Sequence, residues 1–275
     1  MEHTFTLNNG VVLPAVGFGT YKADQGGEQV LRDALAAGYR YFDTASYYGN
    51  EELIGQVLQE SGIPRSQLML ASKVWKTDMG YRQALDAFDA SLRRLKTDYL
   101  DLYLIHWPRP DMTADWRQLD LDTWKALEEL YDAGKVRAIG VSNFLPHHLQ
   151  NLLEHCRIIP AVDQVELHPG YSQEGVRALC QAHNILVQAW SPIGRARMLG
   201  DPLLVELAAR YGVSPARLCL RFALQLGVLP FPKSSAPQRM AENLDLFSFE
   251  ISPQDMETIL AMPQTGWSGL DPDQV

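Results

Sequence analysis

From residue 16 onward, short apolar runs alternate with amphipathic segments. The runs fall at Val16–Phe18, Arg40–Asp43, Leu68–Lys73, Tyr99–His106, Val136–Val141, Ala161–Val165, Ile185–Trp190 and Gly227–Phe231, eight in all. The segments between them have the spacing of helices. Asn50 stands where it would cap a helix whose apolar face is Leu53, Ile54, Val57 and Leu58. "RQALDAFDASLRRL" and "LDTWKALEELYDAG" repeat the pattern, and the second ends on Gly134 at a C′ position. The stretch 200–226 holds two helical pieces, one of them an insertion. Ahead of the repeat, "FTLNNGVVLPAVGFGT" reads as two short strands turning at Asn9-Gly10. Strand–helix alternation predicts parallel pairing with right-handed crossovers, and eight such units predict a closed (β/α)8 TIM barrel of the α/β class. No linker or low-complexity tract divides the chain, so residues 1–275 are expected to form one domain.

Composition narrows what such a barrel does. With 46% hydrophobic and 21% charged residues the chain reads as globular and soluble. A formal charge of −9 argues against nucleic acid or an anionic membrane as the main partner, yet permits an anionic ligand held by a few local cations. The three cysteines, Cys156, Cys180 and Cys219, lie far apart with no paired spacing. That suggests a reducing compartment. The N-terminus lacks a signal-peptide pattern, and no apolar run approaches the length of a membrane span. A cytoplasmic protein is expected.

Barrels of this kind place their chemistry at the C-terminal ends of the strands. Here those ends are polar: Asp43, Lys73, His106, Ser142-Asn143, Gln164 and Glu166, Trp190-Ser191, Lys233-Ser234. A single polar strand end is what meets water in any protein, but so many on one rim form a candidate site. Asp43, Lys73 and His106 come from adjacent strands. Asp43 and Lys73 would neutralise each other, and a lysine ammonium beside a tyrosine hydroxyl lowers the tyrosine pKa. A tyrosine so tuned is a usable general acid, and His106 would hydrogen-bond a substrate oxygen. Protonating a carbonyl oxygen leaves its carbon in need of a nucleophile, for which nicotinamide hydride would serve.

Other chemistries fit less well. No Gly-x-Ser-x-Gly elbow is present. Asp43 and Glu166 could be offered as a glycosidase pair, but Asp43 has Lys73 as a partner. His106 stands alone, while His147 and His148 are neighbours at a helix start, where adjacent side chains do not face one site, so no metal is expected.

There is no Gly-x-Gly-x-x-Gly opening a βαβ unit. "PKSSAPQRMAENLDLF" at 232–247 instead predicts a helix start, with Ser235 and Gln238 spaced as a capping box and Pro237 in the first turn. Lys233 and Arg239 flank that start, as a phosphate site or as two surface cations. Trp190 could stack on a flat ring, and Ser142, Asn143 and Gln164 could bond a carboxamide.

"FDTASYYGNEE", "LDLYLIHWP", "IGVSNF", "QVELHP", "WSPIG" and "PKS…R…EN" occur in the order found in the aldo-keto reductases. The chain resembles that family from the N-terminal hairpin to about Asn243, most closely the shorter bacterial branch that includes 2,5-diketo-D-gluconic acid reductases. The resemblance implies that the hairpin closes the barrel bottom. It places Asp43, Tyr48, Lys73 and His106 on the catalytic tetrad, with Tyr48 as the acid. Tyr47, Trp75 and Trp107, together with Tyr48 and His106, would meet the substrate. Ser142, Asn143 and Gln164 would hold the nicotinamide amide and Trp190 its ring. Ser191, Pro192, Ile193 and Gly194 would line the pyrophosphate. Gly19, Thr20, Tyr21, Asp43 and Ser235 would also face the cofactor. Lys233, Ser234 and Arg239 would take the 2′-phosphate, favouring NADPH (NADP+) over NADH, and Glu242 and Asn243 the adenine. His168 and Pro169 are assigned structure only.

The resemblance implies NADPH-dependent reduction of a small-molecule carbonyl by a monomer. Candidate substrates are 2,5-diketo-D-gluconate, methylglyoxal-like dicarbonyls and small aldehydes. An accessory or sensing subunit that binds NADPH with little turnover is the alternative, and a hydrolase on the same barrel a third. Two departures stand out. Pro230 interrupts the eighth run, where a local bulge is expected, and the short C-terminus "GWSGLDPDQV" is expected to leave a more open cleft. Specificity in this fold lies in loops, and 22–27, 109–120, 195–202 and 263–275 are the segments with least pattern.

Overall fold

The structure, a computed structural model, describes residues 3–274. An antiparallel hairpin, β1 (Thr4–Thr6) and β2 (Val12–Pro14), comes first. Eight strands follow in the expected order: β3 (Phe18–Gly19), β4 (Tyr41–Asp43), β5 (Met69–Val74), β6 (Leu100–Ile105), β7 (Val136–Ser142), β8 (Val162–Glu166), β9 (Leu186–Trp190) and β10 (Leu229–Pro230). Each pairs in parallel with its sequence neighbour.

The helices between them are α1 (Gly27–Ala37), α2 (Glu51–Glu60), α3 (Tyr81–Leu95), α4 (Trp116–Asp132), α5 (Pro146–Leu153), α6 (Glu174–Ala182), α7 (Pro202–Arg210), α8 (Pro215–Gln225), α9 (Pro237–Glu242) and α10 (Pro253–Leu260). Gly134 sits just past α4 with φ 67°, in the left-handed conformation the sequence suggests. Of the two pieces in 200–226, α8 puts Leu220 and Ala223 into the layer between strands and helices. α7 packs instead with α8 and α10 in a separate cluster built on Leu204, Leu207, Phe222 and Ile259, and is the insertion. No described helix is long and apolar enough to cross a membrane.

Alternation along each strand sends one set of side chains outward to the helices and the other inward. The inward set, with Tyr41, Ala71, Leu102, Leu104, Ala138, Val162 and Leu229, packs with Leu7 and Leu13 of the hairpin. Leu13 is fully buried, so the hairpin plugs the lower end of the barrel. Asn8 and Asn9 fasten it there by donating to the carbonyls of Pro160 and Arg137.

Pro230 makes no bulge: Leu229 and Pro230 stay in step with Gln188 and Ala189, and Phe231 N–H continues the ladder to the Ala189 carbonyl. The proline sits instead where the last strand meets the first. Gly17 N–H donates to the Pro230 carbonyl at 3.1 Å and Gly19 N–H to the Pro232 carbonyl at 3.2 Å, which closes the barrel. Pro230 and Pro232 occupy alternate positions facing this seam and have no N–H to return. Two bonds therefore do what a full ladder does elsewhere. A Cβ at Gly17 would lie 2.2 Å from the Phe231 ring, so glycine is what lets the two strands close on each other here.

Candidate active site

Asp43 is the last residue of β4, and Lys73 lies on β5 one place before its end. Their side chains meet inside the upper rim. Lys73 Nζ donates to both Asp43 oxygens at 2.8 and 2.7 Å and to the Thr44 carbonyl at 2.9 Å. All three ammonium protons are thus used, and the side chain is fully buried. Burial pulls the Lys73 pKa down from the usual lysine range, while the Asp43 charge and hydrogen bond pull it back up. Gln164, from β8, donates to Asp43 Oδ1 at 2.8 Å and to Gln188 Oε1 at 3.3 Å. Gln188 donates in turn to the Tyr41 hydroxyl. A polar floor spans the barrel.

Tyr48 rises above this floor on a 3-10 turn, Ser46–Tyr48, that leaves the end of β4. Ser46 Oγ donates to the Lys73 carbonyl. Asn50 pins the turn from the other end. It occupies the N-cap position of α2 as the sequence suggests, but its side chain makes no capping bond. Its Oδ1 accepts from Thr44 Oγ1 and its Nδ2 donates to the Thr20 carbonyl, both at 2.8 Å. Thr20 Oγ1 itself donates to the Asp43 carbonyl. Long-range partners outbid the local cap here.

The Tyr48 ring lies edge-on to His106, centroids 5.6 Å apart, and Lys73 Nζ is 5.3 Å from its centre. The four residues expected to act together are therefore together. The expectation that Lys73 draws the Tyr48 pKa down is not met. Burial first, then the electrostatic influence of the Asp43 carboxylate and of Tyr21, push it well above 10, with Arg195 opposing them. The lysine's protons all point to Asp43 and Thr44. His106 is held neutral: burial, then Lys73 and Lys76, lower its pKa far below 6.5, and its buried Nδ1 has no hydrogen-bond partner.

Aromatic side chains wall one side. Tyr47, exposed, stacks on Trp75 with centroids 3.7 Å apart, Trp75 stands edge-on to His106 at 5.1 Å, and Trp107 follows His106 at 6.4 Å. On the other side Asn143 adopts φ 63°, donates from Nδ2 to the His106 carbonyl and accepts on Oδ1 from Trp190 Nε1 at 2.8 Å. Ser142 Oγ donates to the Gln164 carbonyl. Ser191 (φ 49°) starts a tight turn closed by Gly194 N–H to its carbonyl, followed by left-handed Arg195 and Ala196. Pro192 and Gly194 are buried, and Ile193 packs into the surrounding core.

Lys233, Ser235 and Arg239 are exposed across the seam from the exposed Tyr21. Neither cation has an ion-pair partner among the described residues. The expected box between Ser235 and Gln238 does not form: α9 begins after Ala236 with no side-chain cap, and Ser234 Oγ accepts from Ala236 N–H instead. Pro237 does open the helix. Glu242 takes a bond from Gln238, and Asn243 is buried near Tyr39.

Residues 15–262 match the family model described as the Aldo/keto reductase family. The chain belongs to that family. It is 44% identical to a glyoxal reductase of Bacillus subtilis (strain 168), over 100% of this chain and 98% of that protein. It is 39% identical to a morphine 6-dehydrogenase of Pseudomonas putida, over 98% and 94%. Among solved structures, an aldo-keto reductase complexed with NADPH superimposes with TM-score 0.89 at 31% identity, covering 98% of this chain and 90% of that one.

Sequence reading missed three features of this aldo-keto reductase's rim. Arg195 lies over Trp190, its guanidinium 5.7 Å from the ring centre, with no signal beyond following "WSPIG". Lys76, next to Trp75, reaches the faces of two tryptophans. The C-terminal stretch does not leave the rim uncovered. Thr265 N–H donates to the Gly170 carbonyl, Ser268 donates from N–H and Oγ to Glu166, and Arg109 donates to the Asp273 carbonyl. Trp267, Leu270 and Pro272 thereby face Asn143 and Trp190 across a narrow cavity.

His147 and His148 do converge, against the adjacency rule. Each Nε2 lies near Asp273 Oδ1, at 3.0 and 3.1 Å. His148 Nδ1 accepts from Leu145 N–H and burial lowers its pKa to about 3, so the proton of the neutral ring is on Nε2 and that nitrogen offers no lone pair to a metal.

Proposed function

We propose that the protein reduces aldehydes and ketones to alcohols with NADPH, Tyr48 supplying the proton. The observation that carries this reading is the buried Asp43–Lys73–Gln164 floor beneath two neutral hydrogen-bond donors, Tyr48 and His106. The donor set also suits the cofactor. Lys233 and Arg239 are uncommitted cations near Ser234, fit for a 2′-phosphate, with Glu242 and Asn243 behind them for adenine. The Ser191–Gly194 turn and Arg195 would meet the pyrophosphate, and Trp190 with Asn143 the nicotinamide. NADPH, when bound, supplies the hydride.

The chain's own residues do the rest. His106, neutral and buried, donates to the substrate oxygen and orients the carbonyl. Tyr48, kept protonated by its raised pKa, gives its hydroxyl proton to that oxygen as negative charge develops. Asp43 fixes Lys73 under the Tyr48 ring, and Trp75 and Trp107 exclude water from one side. Small dicarbonyls such as glyoxal or methylglyoxal, 2,5-diketo-D-gluconate and simple aldehydes fit a wall of this kind. Three free thiols suit a reducing cytoplasm, and we infer a monomer acting there.

The test is NADPH oxidation against a panel of these carbonyls, with NADH in parallel. Turnover with NADPH supports the reading. Tight NADPH binding without turnover on any carbonyl would favour an accessory subunit. Arg239→Ala is expected to weaken NADPH binding about tenfold or more and NADH hardly at all, since only the former carries the 2′-phosphate. Equal losses in a fluorescence titration would remove Arg239 from that contact.

A further inference from the structure

The substrate wall carries a cation that the reaction itself does not need. Lys76 follows Trp75 on a 3-10 turn above β5, and its Nζ lies 5.6 Å from the centre of the Trp75 ring and 5.8 Å from that of Trp107. Those two rings flank His106. Lys76 makes no ion pair or side-chain hydrogen bond among the described residues. Asp111 is the acid whose charge reaches it, but Asp111 Oδ1 is taken up by its own turn, accepting from Thr113 N–H, Thr113 Oγ1 and Ala114 N–H. The lysine is only partly exposed, and its charge is felt at His106. Taken as a whole, a chain of net charge −9 repels anions. An ammonium on two tryptophan faces, with its hydrogen-bonding protons free, is a local exception at the mouth of the site.

We propose that Lys76 is a specificity residue that binds the carboxylate of carbonyl substrates carrying one, the aldehyde or ketone end lying between Trp75, Trp107 and His106. This rests on the reductase reading above. Such substrates are oxo acids whose carbonyl and carboxylate are separated by enough chain to reach from His106 to the tryptophan edge. The diketo sugar acids belong to that class, whereas glyoxal and methylglyoxal do not. Lysine suits the task as a compact point charge with three donors, and a charge-assisted hydrogen bond of this kind discriminates by about one power of ten.

The experiment compares 4-carboxybenzaldehyde with 4-nitrobenzaldehyde, similar in shape but without a net charge, in wild type, Lys76→Met and Lys76→Arg. In Lys76→Met the ratio of kcat/KM for the carboxylate over the nitro compound is expected to fall about tenfold, the loss lying in KM. Lys76→Arg should restore most of it. Taking the ratio cancels any change that passes through His106, which acts on both aldehydes alike. An unchanged ratio would overturn the proposal and leave Lys76 a packing residue. Quenching of tryptophan fluorescence by 4-carboxybenzaldehyde reads the same contact without turnover. If quenching weakens in Lys76→Met while no variant oxidises NADPH, the carboxylate site stands and the reductase reading fails. If quenching is the same in both, the site itself is refuted.

Discussion

Tyr48→Phe is expected to lower kcat for carbonyl reduction about a thousand-fold and to leave NADPH affinity within about twofold. The substitution removes one oxygen. The ring keeps its neighbours, Tyr21 with centroids 5.1 Å away and His106 at 5.6 Å, so the wall persists. The residues proposed to grip the cofactor's phosphates, Lys233 and Arg239, lie elsewhere, on the loop after β10 and in the helix α9 that follows it. What disappears is the group placed to give a proton. The pH profile of the wild type carries a second signature. An acid works only while protonated, and the Tyr48 pKa is raised, so its side of the profile should stay flat to beyond the ordinary tyrosine value of about 10. The His106 pKa is lowered, so its side should stay flat below about 6.5. Stopped-flow measurement of the hydride step would separate this chemistry from product release. Undiminished turnover in Tyr48→Phe would move the proton to another donor.

Asp43→Asn should destabilise the fold by about 3–5 kcal/mol in a denaturant titration, because it leaves a fully buried ammonium without its counter-charge. Lys73 would then keep only the Thr44 carbonyl and an amide oxygen as acceptors. The double variant Asp43→Asn/Lys73→Met is expected to be more stable than Asp43→Asn alone, since it removes the stranded charge as well. A loss under about 1 kcal/mol in the single variant would mean that water reaches the pair and that it behaves like a surface ion pair. The outcome bears on function, because the same pair holds Gln164 and the Tyr48 turn in place.

The strand ends were legible because polarity changes abruptly there. A run of buried residues ending in Asp43, Lys73 or His106 marks both the end of a strand and the rim of a barrel. Periodicity alone was enough for eight strands and for α3, with ends displaced by one or two residues, and for α4, whose first turn at Trp116 lies five residues ahead of the pattern. Local signals failed where a distant partner offered more. Asn50 has the position of a cap, yet Thr44 and Thr20 take its side chain. Ser235 and Gln238 have the spacing of a box, yet the chain bends around Ser234 instead. His147 and His148 meet because Asp273, 126 residues away from His147, draws both rings to one oxygen. Pro230 reads as a defect until the neighbour of its strand is known to be the first strand of the barrel. Lys76 and Arg195 carry no pattern at all, since a single cation on a rim turn looks like any other in sequence.

The two-bond seam between Gly17–Gly19 and Pro230–Pro232 has a consequence for how the barrel breathes. Among the described residues, parting its first and last strands there breaks the backbone hydrogen bonds donated by the Gly17 and Gly19 amides, and exchange of those two hydrogens with deuterium reports that parting. The lips of the seam continue directly into Thr20-Tyr21 on one side and Lys233-Ser234 on the other. A molecule held by both lips would act as a clasp. Its binding and the closure of the barrel would then be one equilibrium, each strengthening the other by the same free energy.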